Sequence, residues 1–255
     1  MCLILMAWHA HPAYPLVIAA NRDEFYARPT APAGFWPDAP HVLAGRDLQA
    51  GGTWLGLTRT GRFAALTNYR DPENIKADAP SRGELVSRFL VEDESPDSFM
   101  TMLAASAPGY NGFNLLFSDG DKLCYFSNCG DTPRRLGPGI YGLSNHLLDT
   151  PWPKVARGKS ALAEALRCLP NTEVMFALLK DDTIAPDQEL PRTGVSLEWE
   201  RLLSAAFIRS ETYGTRSSTV IIVAADRRIR FEEKTYIPQA GFAAAEHFAW
   251  RLPLP

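Results

Sequence analysis

The hydrophobic positions fall into short runs that predict a mainly antiparallel sheet protein. Residues 2–8 and 15–21 are apolar and rich in Leu, Ile and Val, and a short break joins them, so we predict two paired strands. Further strands are predicted at Val42–Ala44, Gly51–Thr58, Phe63–Asn68, Phe113–Ser118, Leu123–Ser127, Ile140–Ser144, Thr215–Ala225 and Arg228–Ile237. The connections include short turns such as Arg59–Arg62, which favour hairpins and therefore antiparallel pairing.

A second pattern, with apolar residues three and four positions apart, predicts helices. The expected helices cover Leu85–Leu90, Asp97–Ser106, Pro153–Leu169 and Val174–Lys180. Ser81 followed by Glu84 resembles a capping box at the start of the first helix. The stretch Arg28–Pro40 holds four prolines, so we expect a long loop or lid, and residues 183–200 are polar and irregular. Strands, then helices, then strands again favour one layered α+β domain over residues 1–255.

Charge and composition exclude several classes of protein. The net charge is −3 and no basic block is longer than Arg227-Arg228, which argues against a nucleic-acid-binding protein. No apolar run is long enough to span a bilayer, and the first one lacks the flanks of a signal peptide. The four cysteines show no zinc-type spacing. We therefore expect a cytoplasmic protein with reduced thiols, and its oligomeric state stays open.

Cys2 is the first candidate for chemistry because it stands directly after Met1, at the start of an apolar strand. If Met1 is removed, Cys2 carries a thiol with a pKa of ~8.5 and an α-amine with a pKa of ~7.7–8.0. The amine can then act as the base for its own thiol, as in enzymes with an N-terminal threonine nucleophile. The alternative is an inert cysteine in an apolar strand, since free cysteine is often buried.

Four small polar clusters lie at the ends of predicted strands. They cover residues 21–24 (Asn-Arg-Asp-Glu), 67–71, 142–146 and 215–218. Strand ends that converge on one rim of a sheet can surround a nucleophile with polar groups. The alternative for each cluster is a strand-terminating turn, for which Asn, Asp and Ser are the expected residues.

Together these clusters resemble the NRDE family, also called the transport and Golgi organisation protein 2 family. The resemblance rests on Asn21-Arg22-Asp23-Glu24 and on the segments at 51–56 (Gly-Gly-Thr-Trp-Leu-Gly), 111–115, 141–145 and 215–218, and it covers nearly the whole chain. The order Cys, Arg-Asp, Asn, Asn, Arg is also similar, more distantly, to the cysteine N-terminal-nucleophile (Ntn) hydrolases of the choloylglycine hydrolase and penicillin V acylase type.

The resemblance implies a fold and a set of site residues. The fold would be a four-layer αββα sandwich of the Ntn-hydrolase type, with Cys2 at the tip of a central strand. The implied catalytic residues are Cys2, Arg22, Asp23, Asn68, Asn145 and Arg216. Cys2 would be the nucleophile, and Asp23 would orient its amine. Asn145 and Asn68 would donate hydrogen bonds to the oxyanion, while Arg22 and Arg216 would steady the thiolate.

One departure concerns the spacing of Arg22 and Asp23. Two residues separate the corresponding Arg and Asp in the acylases, whereas here they are adjacent. Neighbouring strand residues point to opposite faces, so both reach one pocket only if the strand ends or bulges there. Otherwise Asn21 and Asp23 share a face, and Arg22 belongs elsewhere, for example in a structural ion pair.

Two functions follow from the resemblance. The first is an amidohydrolase or acyltransferase that acts on a small acyl-amide or thioester and needs no cofactor. The second is a non-catalytic protein that binds or traffics haem or a lipid in the same cleft. His9, His11 and His146 are open to haem or metal ligation, although a pair such as His9 and His11 in a turn is typically solvated, and we predict no metal site. Trp36, Trp54 and Trp152 either line an apolar pocket or belong to the core.

Overall fold

The computed structural model describes residues 2–130, 132–238 and 241–253. The strands of this part of the chain are β1 (Cys2–Trp8), β2 (Leu16–Phe25), β3 (Thr30–Phe35), β4 (Val42–Asp47), β5 (Leu55–Thr58), β6 (Phe63–Asn68), β7 (Phe113–Ser118), β8 (Leu123–Ser127), β9 (Arg134–Leu136), β10 (Gly139–Leu143), β11 (Tyr213–Val223), β12 (Arg228–Ile237) and β13 (Gly241–Arg251). The α-helices are α1 (Gly83–Val91), α2 (Pro96–Ser106), α3 (Pro153–Ala165), α4 (Thr172–Leu179) and α5 (Leu197–Leu203).

The chain divides into two compact units, of which the first consists of Met1–Ala27, Pro138–Ser144 and Leu148–Arg251. Its sheet has the strand order β10-β1-β2-β11-β12-β13, and the strand pairs are antiparallel. Alternate residues of the central strands, such as Leu5 and Val17, pack in one core with Leu162 of α3 and Phe176 of α4. The helices therefore cover the face of the sheet that carries the odd-numbered positions of β1 and β2.

The second unit consists of Arg28–Gly137, Asn145–Leu147 and Leu252–Pro255. Its strands β3 to β9 lie in chain order in one antiparallel sheet. Helices α1 and α2 pack on this sheet through Phe89 and Phe99, whose rings lie 4.9 Å apart, and both rings contact Phe117 of β7 at 5.1 Å. Three fully buried aromatic rings thus form the centre of this core.

The predicted fold class, α+β with mainly antiparallel sheets, is confirmed. Each unit contains one sheet and one layer of helices, which is the composition of one half of the expected four-layer sandwich. The prediction of one domain over residues 1–255 stays a prediction. Within the described residues, no helix is both long enough and apolar enough to cross a membrane.

The prediction of a loop or lid over Arg28–Pro40 is wrong, because this stretch contains β3. The strand lies at the edge of its sheet, and its register with β4 shifts between Ala31 and Gly34, around Pro32. A proline cannot donate a ladder hydrogen bond, and edge strands and bulges are the positions where a sheet tolerates one. The prolines therefore mark an irregular edge strand.

Three further elements are not predicted by the pattern: the short strand β9, helix α5 and strand β13. Helix α5 begins inside the stretch 183–200, with Ser196 as its N-cap accepting a hydrogen bond from the backbone N–H of Trp199. Strand β13 pairs with β12 along its length, although its three consecutive alanines, Ala243–Ala245, are poor strand formers.

The proposed capping box is wrong, because the N-cap of α1 is Arg82, which makes no side-chain capping bond.

Candidate active site

Cys2 and Arg22 lie side by side on one face of the first unit's sheet. They are directly opposite each other in the antiparallel pairing of β1 with β2, and such pairs project their side chains to the same face. Leu3 and Asn21 are the next pair and occupy the helix-covered face. Cys2 is partly exposed and Arg22 is buried, while the Ser144 hydroxyl donates a hydrogen bond of 3.0 Å to the Cys2 carbonyl. The thiol is thus held next to a buried guanidinium.

A β-bulge lies beside this pair, on the neighbouring strand. In the pairing of β2 with β11, Arg22 is opposite Ser217 and Asp23 is opposite Thr215, so Arg216 is the extra residue. Strand β2 itself continues past Asp23 without interruption to Phe25. Asp23 therefore faces the helices, whereas Cys2 and Arg22 occupy the opposite face. The bulge keeps Thr215 on the same face as Asp23.

Asp23 is a buried carboxylate with an oriented hydrogen-bond donor. The Thr215 hydroxyl donates to Asp23 Oδ1 at 2.7 Å and accepts from the Ile208 backbone N–H at 2.9 Å. The second bond fixes the direction of the first, because the hydroxyl has one proton to give. Burial raises the pKa of Asp23, and the positive charge of Lys154 opposes this rise. The Lys154 charge and the Thr215 hydroxyl therefore stabilise the ionised form of the Asp23 carboxylate.

Lys154 is a residue that sequence reasoning missed. It lies in the first turn of α3 and is only 1% exposed, which is rare for a lysine without a charged partner. Its position does carry a signal, because Lys154, Gly158 and Leu162 are four residues apart and all lie on the buried stripe of the helix. A lysine in such a stripe predicts a buried acidic partner, which here is Asp23.

Opposing charges act on the Cys2 thiol. Burial raises its pKa, and the negative charge of Asp23 raises it further. The positive charge of the chain's amino terminus, the Arg22 charge and a hydrogen bond from the backbone N–H of Asp23 lower it, in that order, but the net direction is upward. The thiol therefore forms less thiolate at neutral pH than an ordinary cysteine does, so any nucleophilic role for Cys2 requires a base close to the sulfur.

Asn21, the first residue of the Asn-Arg-Asp-Glu motif, joins three parts of the first unit. Its side-chain Nδ2 donates to the carbonyl oxygens of Leu179 at 2.8 Å and Ala206 at 2.7 Å. Its Oδ1 accepts a hydrogen bond of 2.6 Å from the Ser218 hydroxyl on β11. The residue is 1% exposed, so these bonds satisfy an amide group that has little access to water. Asn21 thus positions the segment that carries Arg22 and Asp23.

Arg216 is held at the far end of β2. Its Nη1 donates to the carbonyl oxygens of Phe25 at 3.0 Å and Tyr26 at 3.2 Å. The guanidinium is therefore bound to the backbone two and three residues beyond Asp23. The predicted role of Arg216 in steadying the thiolate stays a prediction.

Asn68 and Asn145 lie together in the second unit. The Asn145 side-chain Nδ2 donates to the Asn68 carbonyl oxygen at 2.8 Å, and the Asn145 carbonyl accepts from the Arg70 backbone N–H at 2.8 Å. Asn145 is fully buried, and it directly follows Ser144, which contacts Cys2. The predicted contribution of both amides to an oxyanion site stays a prediction.

The described ranges contain no group of three or more His, Cys, Asp or Glu side chains arranged to hold a metal ion. His146, one of the histidines considered for ligation, stacks against Tyr69 with ring centroids 5.0 Å apart. Burial lowers the pKa of His146, which favours the neutral imidazole.

Comparison with known proteins decides the family. The family model described as "Transport and Golgi organisation 2" matches residues 1–238. A Bos taurus protein, "Transport and Golgi organization protein 2 homolog", is 41% identical over 261 residues, which cover 93% of this chain and 94% of the relative. The chain belongs to the Transport and Golgi organisation 2 family. The Homo sapiens homolog in this family is 40% identical over 258 residues, covering 92% of this chain and 93% of its own length.

A solved structure outside this family shows a weaker similarity. A mutant conjugated bile acid hydrolase from Clostridium perfringens has 11% sequence identity and a TM-score of 0.46, over 99% of this chain and 92% of that chain.

Proposed function

We propose that this chain is a cysteine amidohydrolase or acyltransferase that acts on a small acyl-amide or thioester, with Cys2 as its amino-terminal nucleophile. The supporting observation is the pairing of Cys2 with Arg22 on one face of β2 while Asp23, the adjacent residue, is buried on the other. Burying an acidic residue and an arginine beside one thiol costs folding free energy, and such charged groups cluster at functional sites.

The proposed reaction uses the amine that removal of Met1 would free. The α-amine of Cys2 takes the thiol proton, and the sulfur attacks the substrate carbonyl carbon. The carbonyl π electrons move to oxygen, where the resemblance assigns Asn145 and Asn68 as donors. When they return, the C–N bond of an amide or the C–S bond of a thioester substrate breaks, and the leaving amine or thiol takes the proton from the α-ammonium. Water or an acceptor amine then attacks the carbonyl carbon of the acyl-enzyme while the α-amine takes one of its protons. The C–S bond to Cys2 breaks, the sulfur takes that proton, and the acid or amide product is released from Cys2.

The first test of this proposal concerns the amino terminus. Met1 lies outside the described residues, so we would measure the intact mass of the purified protein. The proposal expects the loss of one methionine. A protein that retains Met1 in full has no free Cys2 amine, and this result would refute the mechanism.

The second test separates the nucleophile from other thiols. The processed protein would be treated with a panel of fluorogenic acyl-amides and acyl thioesters, followed by trapping and mass mapping of the acyl group. We expect an acyl adduct on Cys2, no turnover by Cys2→Ala, and normal turnover by Cys168→Ala, whose cysteine is exposed. An adduct on Cys168, or turnover by Cys2→Ala, contradicts the assignment.

A second function is favoured by the raised pKa of the Cys2 thiol, because a thiol kept neutral is a poor nucleophile but is compatible with an apolar ligand. In this alternative the site binds or carries haem or a lipid without turnover. Titration with haem, followed by its absorption spectrum, tests it. A spectrum that does not change at micromolar protein excludes haem binding, and binding retained by Cys2→Ala separates this function from catalysis.

A further inference from the structure

A groove with a basic rim lies on the first unit, away from Cys2, among the strands β11 to β13 and the segment before α4. Its volume is about 430 Å³, within the range typical of small-molecule sites. Six of the residues that line it are Tyr14, Pro170, Ile222, Arg228, Arg230 and Arg251. Three of these six are arginines, although the whole chain has a net charge of −3.

The strand register places the arginines on one face. Arg228 is directly opposite Arg251, and Arg230 is directly opposite Ile222, so these side chains share the face that Ile222 contributes to the helix-covered core. Like charges directly opposite each other destabilise a sheet. Asp226, whose pKa is lowered by both Arg228 and Arg251, offsets part of this repulsion, and a bound anion would offset more of it.

Nearby carboxylates neutralise only part of this charge. Asp226 Oδ2 lies 2.6 Å from Arg228 Nε, and Glu232 Oε1 lies 3.7 Å from Arg230 Nε. Glu232 also accepts a hydrogen bond of 2.8 Å from the Thr172 hydroxyl and lies 3.6 Å from His247 Nδ1, so it makes no close hydrogen bond to Arg230. Three guanidinium groups thus face two carboxylates, and an excess of positive charge remains at the rim.

The rim and the floor of the groove differ in chemistry. Arg230 Nη1 donates to the Pro170 carbonyl at 3.0 Å, which holds this guanidinium at the edge and leaves further N–H groups for a ligand. The floor is apolar, because Ile222 is only 3% exposed and Tyr14 packs against the same core. A ligand that matches both parts has an oxyanion at one end and an apolar body at the other.

We propose that this groove binds an anionic amphiphile, a small molecule with a phosphate, sulfate or carboxylate head on an apolar chain or ring. The guanidinium groups of Arg228 and Arg251 bind the head by charge-assisted hydrogen bonds. The apolar body packs against Ile222 and Tyr14. This site is independent of the chemistry proposed for Cys2.

The experiment is calorimetric titration of the full chain with decyl phosphate and hexyl phosphate, each below its micelle-forming concentration, and with inorganic phosphate. We expect decyl phosphate to bind more tightly than hexyl phosphate, and inorganic phosphate to bind most weakly. The double variant Arg228→Gln/Arg251→Gln should weaken the binding of decyl phosphate at least about tenfold, or about 1.4 kcal/mol, because it removes two charge-assisted hydrogen-bond donors to the head group. Cys2→Ala should bind normally, which separates this site from the proposed active site.

A matched control removes two positive charges elsewhere. Arg88→Gln/Arg135→Gln changes two exposed arginines of the second unit and should leave the affinity unchanged. Equal weakening by both double variants would overturn the proposal, because it would show an effect of net charge alone. No binding by the wild type, or affinities that do not depend on chain length, would also overturn it. Vesicles containing phosphatidic acid distinguish a membrane-bound head group from a free ligand. The proposal expects vesicles to compete only weakly with decyl phosphate, and strong competition would contradict a groove that binds a single free molecule.

Discussion

The sharpest prediction concerns the buried charges of Lys154 and Asp23. Each residue is 1% exposed, and the Lys154 charge acts against the burial that raises the pKa of Asp23. Replacing Lys154 with Met keeps a long side chain in the stripe of α3 but leaves the carboxylate without this cation. Removal of one partner from a direct buried ion pair typically destabilises a protein by ~3–5 kcal/mol, because the remaining charge stays away from water. Lys154 acts on Asp23 through its charge rather than through a direct hydrogen bond, so we expect a smaller loss of ~1–3 kcal/mol at pH 7.5.

The pH dependence gives the sign of the effect. An unfolded Asp has a pKa of ~3.9, and the folded pKa of Asp23 lies above its ordinary value. The folded state therefore binds the proton more tightly, so stability falls as the pH rises from the unfolded pKa through the folded pKa. Lys154→Met raises the folded pKa further, and each added unit increases the loss at high pH by about 1.4 kcal/mol. The variant should thus be closer to wild type at pH 5 than at pH 7.5.

The assay is urea unfolding followed by far-UV circular dichroism at both pH values. The double variant Lys154→Met/Asp23→Asn removes both charges, and the amide oxygen that replaces the carboxylate can still accept the hydrogen bond from Thr215, so it should recover much of the stability. Lys159→Met is the control, because Lys159 lies on the same helix but is 31% exposed and pairs with Asp149. This variant should lower the free energy of unfolding by less than ~1 kcal/mol. A Lys154→Met loss that is equal at the two pH values, or a double variant less stable than either single one, would refute the argument.

Three other predictions follow from the same unit. Because burial raises the pKa of the Cys2 thiol, its alkylation by iodoacetamide should increase at a higher pH than the alkylation of an ordinary free cysteine. Peptide mass spectrometry across a pH series measures this, and an increase at a lower pH would contradict the prediction. Asn21→Ala leaves the carbonyls of Leu179 and Ala206 without their donor and should cost ~2–3 kcal/mol in urea unfolding, whereas Asn74→Ala on the surface should be neutral. Thr215→Val removes the hydrogen-bond donor to Asp23 and should lower the free energy of unfolding by ~1–3 kcal/mol, with the larger loss at high pH, where Asp23 is ionised. Thr215→Ser keeps the hydroxyl and should retain the wild-type stability.

The elements that the sequence predicts well are those whose residues satisfy local rules. Strands Phe63–Asn68, Phe113–Ser118 and Leu123–Ser127 have the predicted bounds, because each is an apolar run bounded by turn residues. Strand β3 was missed because its proline is tolerated only at a bulged edge, and edge position is a property of the whole sheet. Strand β13 was missed because pairing with β12 overrides the weak strand preference of its alanines.

The candidate site shows the same division between local and tertiary information. The motif identified Arg22 and Asp23 together, but which of them shares a face with Cys2 depends on the register of β1 with β2. That register places Arg22 next to the thiol, although adjacency alone left open that it belonged elsewhere. The sequence does not identify Lys154 as a site residue, because Asp23 is more than a hundred residues away along the chain and only tertiary packing brings α3 close to it.

The adjacency of Arg22 and Asp23 has a physical explanation within the proposed chemistry. A nucleophile that is also an amino terminus offers two groups: a thiol that projects to one face of the sheet, and an amine that lies in the backbone at the strand's start. Arg22 shares the face of the thiol and its charge lowers the thiol pKa, while Asp23 acts from the opposite face and its charge raises the thiol pKa. Two adjacent residues of a continuous strand therefore act on one cysteine from opposite faces of the sheet, and no break in β2 is required. The bulge at Arg216 keeps Thr215 on the helix-covered face of the sheet, where its hydroxyl donates a hydrogen bond to the buried Asp23 carboxylate.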